Sequence, residues 1–157
     1  MDMVCFHNPD EENGYLSNWY IREFEVDGIK FSSMEQYMMY KKAICFSDNK
    51  IAKQILQTAD VSEIKALGRK VLNYNDCVWN GKRQIVVYEG LCAKFLQNYD
   101  LRANLKGTGT AVLAECAVKD RLWGIGLSMN DPDRFEMEKW RGENLLGFAL
   151  MEVRNKV

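Results

Sequence analysis

The sequence predicts an α+β fold in which helices dominate and a small antiparallel β element accompanies them. Capping boxes precede several helical patterns, and a two-residue turn joins two short alternating segments. No regular alternation of strands and helices repeats along the chain, which argues against a doubly wound sheet. The 157 residues are 47% hydrophobic and 27% charged, as in globular domains. We therefore expect a single domain over residues 1–157.

The first third of the chain predicts a β-hairpin that leads into a helix. Asp27-Gly28 is a turn signal, and residues 24–26 and 29–31 on either side alternate apolar and polar side chains. Ser33 and Gln36 then form a Ser-x-x-Gln capping box, which predicts that a helix begins at the residue after the serine.

This first helix carries two ionisable residues on one face. Glu35 and Lys42 are seven residues apart, which places them within ~20° of each other around a helix. Two methionines lie between them, so the face is expected to be buried or to line a pocket. Lys41 lies about 100° away around the helix and is the less suitable partner of Glu35.

Three further helices are predicted after this one. Asp48 can cap a helix whose apolar spacing continues through residue 56. Asp60 and Glu63 form a second capping box, and Gly68 supplies the end of that helix. A long helix is predicted over residues 76–97, with one apolar face made by Ile85, Tyr88, Cys92, Phe95 and Leu96.

The last third predicts two helices, a strand and a long loop. Asp100 can cap a short helix that ends before Gly107, and residues 145–154 predict a C-terminal helix. The apolar run over residues 111–117 predicts a strand that is buried on both faces. Residues 120–143 are polar and contain glycine and tryptophan, and they are too many for a simple connection.

Composition limits the kinds of partner that we expect. The net charge is −1, so any nucleic-acid contact should be local. No apolar run is long enough for a membrane span, and the first residues lack the features of a signal peptide. The five cysteines form no C-x-x-C motif, which favours a reduced, cytoplasmic protein. The single histidine, His7, has no ligand spacing around it, so we expect no metal site.

Lys42 is the candidate nucleophile. Burial disfavours the charged form of a lysine, so its pKa falls and a neutral amine becomes available for attack. Glu35 could then transfer protons. The alternative is an exposed helix face that carries two unrelated charges.

Aromatic and polar residues outside the helical patterns are candidates for ligand contact. Trp79 and Trp123 could stack on a ring or pack in the core, and Gly124 would let a ligand approach the backbone. Asp120 follows the predicted strand and is either catalytic or a turn former. Asn144 either caps the last helix or binds a polar ligand. Ser17 and Asn18 likewise either have a local structural role or bind a polar ligand, and Arg69 could pair with a phosphate or with solvent.

The motifs occur in a fixed order over residues 6–154. They are Phe6, Leu16-Ser-Asn18, Ser33-Met-Glu-Gln-Tyr37, Lys42, Leu67-Gly-Arg69, Trp79, Asp120, Trp123-Gly124, Trp140-Arg-Gly-Glu-Asn-Leu-Leu-Gly147 and Leu150-Met-Glu-Val-Arg154. This series resembles the NADAR (YbiA-like) family. The resemblance implies a YbiA-like fold and N-glycosidase chemistry, in which the bond between a ribose anomeric carbon and an exocyclic amine is cleaved.

The resemblance also implies roles for individual residues and no cofactor. It places catalysis on Glu35, Lys42 and Asp120. It places substrate contacts on Phe6, Ser17, Asn18, Tyr37, Arg69, Trp79, Trp123, Gly124 and Asn144. Two features depart from relatives: Gln36 stands where a histidine is frequent, and residues 126–139 form a longer insertion. The insertion bears on the identity of the substrate more than on the reaction.

Three functions are compatible with these residues. The first is the removal of ADP-ribose from guanine, as a free nucleotide or within nucleic acid, where one flipped-out base needs only a small contact area. The second is hydrolysis of ribosylaminopyrimidine phosphates, which are intermediates of riboflavin biosynthesis. The third is an ADP-ribose or NAD binding module without turnover. The presence of Glu35, Lys42 and Asp120 together argues against this third function.

Overall fold

The computed structural model describes residues 2–157, so Met1, which the predicted domain range includes, lies outside the described residues. The helices are α1 (Met34–Cys45), α2 (Asn49–Leu56), α3 (Val61–Gly68), α4 (Asp76–Gln97), α5 (Tyr99–Gly107) and α6 (Leu145–Lys156). The strands are β1 (Met3–Phe6), β2 (Ile21–Val26), β3 (Ile29–Ser33) and β4 (Val112–Glu115). The prediction of a helix-dominated α+β fold with a small antiparallel element is confirmed.

The chain divides into two compact units. The first unit contains the residues up to 20 together with Asn98–Val157, and the second contains Ile21–Gln97. The prediction of one domain over residues 1–157 stays a prediction. Within residues 2–157, no helix is both long and apolar enough to cross a membrane.

The second unit begins with the predicted hairpin. Strands β2 and β3 pair antiparallel, and Val26 opposite Ile29 closes the ladder. Asp27 and Gly28 between them both have positive φ, of 52° and 79°, which the two-residue turns of hairpins require. The hairpin prediction is therefore confirmed.

The capping box at the start of α1 forms, with one difference. The Ser33 hydroxyl accepts a hydrogen bond from the Gln36 amide at 3.1 Å, as predicted. The Gln36 side chain reaches back to the amide of Ser32 at 2.7 Å, one residue before the cap. Its amide nitrogen donates to the carbonyl oxygens of Ile55 and Thr58, at the end of α2 and just beyond it. Gln36 therefore holds α1 and α2 together.

The bounds of α4 match the prediction, but its predicted apolar face is partly wrong. Ile85 and Leu96 are 61% and 53% exposed. The buried side consists of Trp79, Val86, Val87, Gly90, Leu91, Lys94 and Phe95. A Cβ at Gly90 would lie 2.5 Å from the Tyr37 ring. The ring needs a glycine there, and the core face therefore contains residues that an apolar pattern does not identify.

The first unit contains a pairing that the sequence did not predict. Strands β1 and β4 pair in parallel, with Met3 opposite Val112 and Phe6 opposite Glu115. The predicted strand over residues 111–117 is thus confirmed, although it is shorter. Helix α6 packs against β4 and starts at the predicted residue.

The prediction for α5 needs a correction. The helix begins at Tyr99, with Asn98 at the cap position, and it includes Gly107. Asp100 therefore lies in the first turn and does not cap the helix. A carboxylate in the first turn favours the helix through the dipole, so an acidic residue near the start does not by itself identify the cap.

Cys5 on β1 is expected to be the most reactive thiol at neutral pH. The neighbouring Cys116 thiol and the Arg134 guanidinium lower the pKa of Cys5 to about 7, although burial opposes this shift. Thiolates are the reactive form, so alkylation of Cys5 by iodoacetamide should rise with a midpoint near pH 7. Peptide mass spectrometry after timed labelling measures this midpoint. Arg134→Gln should move it upward, and a wild-type midpoint near the ordinary thiol value would contradict the prediction.

Candidate functional site

Lys42 lies in the last turn of α1 and contacts the end of α3. Its Nζ donates a hydrogen bond to the carbonyl oxygen of Gly68 at 2.8 Å. The same atom lies 4.5 Å from the centroid of the Tyr74 ring, so the ring faces the ammonium group. A Cβ at Gly68 would overlap the Met39 thioether, and the glycine therefore permits α3 to approach α1 closely.

The surroundings of Lys42 lower the pKa of its amine. Burial lowers the pKa of Lys42 below its ordinary value, and the nearby Arg69 guanidinium lowers it further. The carboxylates of Glu35 and Asp76 act in the opposite direction and do not cancel the effect of burial. The second unit thus brings together the two residues that the helical spacing paired and the predicted Arg69. Glu35 itself is only 5% exposed, so this face of α1 is buried as predicted.

Two residues near Lys42, Tyr74 and Asp76, were not identified as candidate site residues from the sequence. The Tyr74 hydroxyl donates to Asp76 Oδ1 at 2.6 Å, and this hydrogen bond raises the pKa of Tyr74. The Tyr74 ring also packs edge-on against Phe46, with centroids 5.4 Å apart. Asn75 accepts a hydrogen bond from the amide of Val78 and starts α4. Nothing in the sequence shows that Tyr74 covers Lys42.

Tyr37 and Trp79 lie elsewhere in the second unit. Tyr37 is buried, and its ring packs edge-on against Phe24 and Phe31. Burial raises the pKa of Tyr37 to about 12. Trp79 is buried on α4 and lines a cavity together with Lys41. The structure therefore places Tyr37 in the core and Trp79 at the wall of that cavity.

In the first unit, Asp120 organises the loop after β4. Its Oδ1 accepts hydrogen bonds from the amides of Leu122 and Trp123, at 3.1 Å and 2.9 Å. The carbonyl oxygens of Trp123 and Gly124 in turn accept from the amides of Leu146 and Asn144. Backbone hydrogen bonds therefore hold the loop against the start of α6.

Gly124 is needed for this backbone packing. A Cβ at this position would lie 2.9 Å from the carbonyl oxygens of both Asp120 and Glu115. The sequence suggested that Gly124 lets a ligand approach. The structure shows that the chain itself approaches it, which is a sufficient reason for a glycine.

Asn144 connects the start of α6 to β4. Its side chain is buried, and its backbone has a positive φ of 52°. Its Oδ1 accepts from the amide of Glu115 at 3.0 Å, and its Nδ2 donates to the carbonyl oxygen of Leu113 at 2.9 Å. It makes no side-chain capping hydrogen bond. Both ends of the amide thus bind the backbone of β4, which fixes the strand end.

Three further predicted residues also lie in the first unit. Phe6 is in the core, and the Ser17 hydroxyl accepts a hydrogen bond from the amide of Trp19 at 3.1 Å. Asn18 is 6% exposed, and its Oδ1 has no hydrogen-bond partner among the described residues. Leaving a buried acceptor unpaired costs about 1–3 kcal/mol. Asn18 therefore has an oxygen available for a donor from outside the chain.

The chemistry available in the second unit is that of an amine nucleophile with a carboxylate on the same helix face. No group of three or more histidine, cysteine, aspartate or glutamate residues that could hold a metal ion occurs within residues 2–157. An amine whose pKa is lowered can attack an electrophilic carbon, and a buried carboxylate can transfer protons.

Known proteins resemble this chain over nearly its whole length. The NADAR domain family model matches residues 5–157. An N-glycosidase of Acanthamoeba polyphaga mimivirus is 36% identical over 98% of this chain and 95% of its own length. The N-glycosidase YbiA of Escherichia coli is 29% identical over 99% of this chain and 88% of its own length. The NMR structure of that protein superposes with a TM-score of 0.81, covering 99% of this chain and 84% of the other.

A riboflavin biosynthesis protein of Vibrio vulnificus is also similar, with 30% identity over 98% of this chain. The chain spans 38% of the length of that protein. The fold and the relatives define a hydrolase of the N-glycosidase type. The chain belongs to the NADAR domain family.

Proposed function

We propose that the protein removes ADP-ribose from guanine, as a nucleotide or within nucleic acid. The bond that breaks joins the anomeric carbon of the ribose to the exocyclic amine of the base. The main support for this reaction is the position of Lys42. Its half-buried amine donates a hydrogen bond to the Gly68 carbonyl oxygen, and burial lowers its pKa. The buried Glu35 two turns earlier on the same helix supports the assignment.

The reaction uses the basicity of the glycosylamine nitrogen. Its lone pair opens the ribose ring to an imine, and the ring oxygen takes up a proton. The neutral amine of Lys42 then adds to the anomeric carbon, and the guanine amine leaves with a proton. Water hydrolyses the resulting lysine imine, which returns free Lys42 and lets the ribose ring close. One water is consumed for each bond that is cleaved.

Two carboxylates are proposed as the proton-transfer groups. Glu35 lies on the same helix face as Lys42 and interacts with it electrostatically. The hydrogen bonds of Asp120 within the described residues end on Oδ1, which leaves Oδ2 available for a proton. General acid–base groups of this kind contribute about 10²–10⁴-fold to rates.

Two residues are proposed as direct substrate contacts on structural grounds. Asn18 has a buried oxygen without a partner, which suits an N–H or hydroxyl of the substrate. Arg69 follows α3 and can bind a phosphate. The other predicted contacts stay predictions: Phe6, Ser17, Tyr37, Trp79, Trp123, Gly124 and Asn144.

The segment over residues 126–139 carries a surface that is suited to contact with a nucleotide. It contains two short 3₁₀ turns, Pro132–Phe135 and Met137–Lys139. Phe135 is 54% exposed, and the Arg134 guanidinium lies 4.2 Å from its ring centroid. An exposed aromatic ring beside a cation is suited to stacking with a base near a phosphate.

A second candidate function is hydrolysis of a ribosylaminopyrimidine phosphate. The name of the Vibrio vulnificus relative favours it, since the reacting bond is of the same kind. A third candidate is a binding module for ADP-ribose or NAD without turnover. The joint presence of Glu35, Lys42 and Asp120 argues against this candidate, because a module that only binds its ligand does not need these three ionisable groups.

The experiment compares substrates and traps the intermediate. The purified protein is incubated with ADP-ribosylated guanosine, an ADP-ribosylated oligonucleotide or a ribosylaminopyrimidine phosphate, and the products are identified by mass spectrometry. Sodium borohydride added during turnover should reduce the imine and leave a covalent sugar adduct on the Lys42 peptide. Preferred cleavage of the pyrimidine substrate would support the second candidate. Binding of ADP-ribose without any cleavage would support the third.

A further inference from the structure

The Lys42 amine lies between two groups that attract its N–H bonds. Its Nζ donates a hydrogen bond to the Gly68 carbonyl oxygen at 2.8 Å. The same nitrogen lies over the Tyr74 ring, 4.5 Å from the centroid. The face of an aromatic ring carries partial negative charge, so it attracts an N–H bond as well as an ammonium group. Gly68 and Tyr74 therefore restrict the orientation of the amine as well as its position.

The orientation of the amine determines where its lone pair points. A neutral amine has four directions around its nitrogen, which are the bond to the ε carbon, two N–H bonds and the lone pair. When one N–H bond points to the Gly68 carbonyl oxygen and the other to the Tyr74 ring, the lone pair is left with a single direction. The stem of a lysine is flexible, so without the ring the lone pair would sample several directions.

Three contacts hold Tyr74 in place beside the amine. Its hydroxyl donates to Asp76 Oδ1 at 2.6 Å, and its ring packs edge-on against Phe46 with centroids 5.4 Å apart. The chain just before it is fixed by the amide of Leu72, which donates to Asp48 Oδ2 at 2.9 Å. Tyr74 is nevertheless 41% exposed, so these contacts, rather than burial in the core, set the position of the ring.

We propose that Tyr74 is a positioning residue that fixes the direction of the Lys42 lone pair, and with it the side from which the substrate carbon is attacked. The ring acts through its contact with Nζ, and Asp76 acts by holding the hydroxyl end of the ring. This inference rests on the proposed function, because the attacking group is the Lys42 amine. Tyr74 neither gains nor loses a proton in the reaction.

An NMR measurement tests the contact without any turnover. Protein labelled with ¹³C at the lysine ε carbons is compared with the Lys42→Arg variant, whose missing signal identifies Lys42. Protons that lie over the face of a ring are shifted upfield by its ring current, so the ε protons of Lys42 should be shifted upfield from those of exposed lysines. Tyr74→Phe should keep this shift, and Tyr74→Leu should lose it because leucine has no ring. Circular dichroism spectra establish that each variant is folded.

Steady-state kinetics with ADP-ribosylated guanosine test the effect on the reaction. We expect Tyr74→Leu to lower kcat by about 10–100-fold, since a misplaced attacking group costs up to about 10²-fold. KM should change by less than about threefold, because the ring orients the amine and does not hold the substrate. Tyr74→Phe should recover at least about a third of the wild-type kcat, since it keeps the ring and loses only the hydrogen bond to Asp76.

Tyr99→Leu is the matched control, because Tyr99 lies on α5 and is 76% exposed. It should retain the wild-type rate. The positioning role is overturned if the wild-type Lys42 signal is not shifted upfield, or if the wild type cleaves the substrate and Tyr74→Leu keeps kcat within about threefold. Absence of cleavage by the wild type would instead contradict the proposed function, and the NMR spectra would still decide whether Tyr74 orients the amine.

Discussion

Replacing Lys42 with arginine is expected to lower kcat by about 10³-fold or more, with a small change in KM. Arginine keeps the positive charge, but its guanidinium stays protonated and cannot form an imine at neutral pH. The loss therefore separates the nucleophile from an electrostatic role. Steady-state rates of amine release by liquid chromatography measure the change, and the borohydride adduct should disappear in the same variant.

Lys53→Arg serves as the matched control, because Lys53 is exposed on α2 and has no part in the proposed chemistry. It should retain the wild-type rate. If Lys42→Arg also keeps its rate within about tenfold, Lys42 acts through its charge, and a carboxylate-activated water attacks the sugar directly. The variant thus decides between the two mechanisms.

The pH profile gives an independent expectation for the same residue. Burial lowers the pKa of Lys42 below the ordinary value of 10.5, and the neutral amine is the attacking form. The rate of the wild-type enzyme should therefore rise with pH through a pKa below that value. The residual activity of Lys42→Arg should not show this rise with pH, since arginine does not titrate in this range.

Helix starts were predictable because capping is local. Ser33, Asp48 and Asp60 each accept a hydrogen bond from an amide three residues later, as their spacing indicated. The alignment of Glu35 with Lys42 was predictable for the same reason, since helical periodicity alone places them on one face. These features need no knowledge of the rest of the chain.

Contacts between distant segments were not predictable in this way. The parallel pairing of β1 with β4 joins strands that are far apart in the sequence. The Gly68 carbonyl oxygen and the Tyr74 ring approach Lys42 because α3 and the residues before α4 pack against α1. The buried face of α4 was mispredicted since Gly90 makes room for Tyr37 and Lys94 is buried. In each case the contact or the buried face depends on packing between segments, which the local sequence pattern does not specify.

Lys94 is the largest departure from that local pattern, and it predicts a strong effect on stability. Its side chain is fully buried on α4, and its Nζ lies 5.2 Å from the centroid of the Phe95 ring. Burial is the main cause that lowers the pKa of Lys94 from 10.5 to about 7, and the nearby Arg22 lowers it further. A charged amine is therefore disfavoured in the folded protein.

We expect Lys94→Met to raise the free energy of unfolding at pH 6 by roughly 2–4 kcal/mol, because it removes the cost of burying the charge. Between about pH 7 and 10.5 the unfolded wild-type chain binds one more proton at this residue than the folded chain does. The wild-type protein therefore gains stability as the pH rises, and its deficit relative to the variant should shrink toward pH 10.

Urea unfolding of both proteins at pH 6, 8 and 10 measures this difference, with Lys53→Met as an exposed control that should change stability by less than about 0.5 kcal/mol. A difference between Lys94→Met and wild type that does not vary with pH would mean that partners inside the fold fully stabilise the Lys94 ammonium. A difference that shrinks with rising pH would mean that burial lowers the pKa of Lys94 in the folded protein.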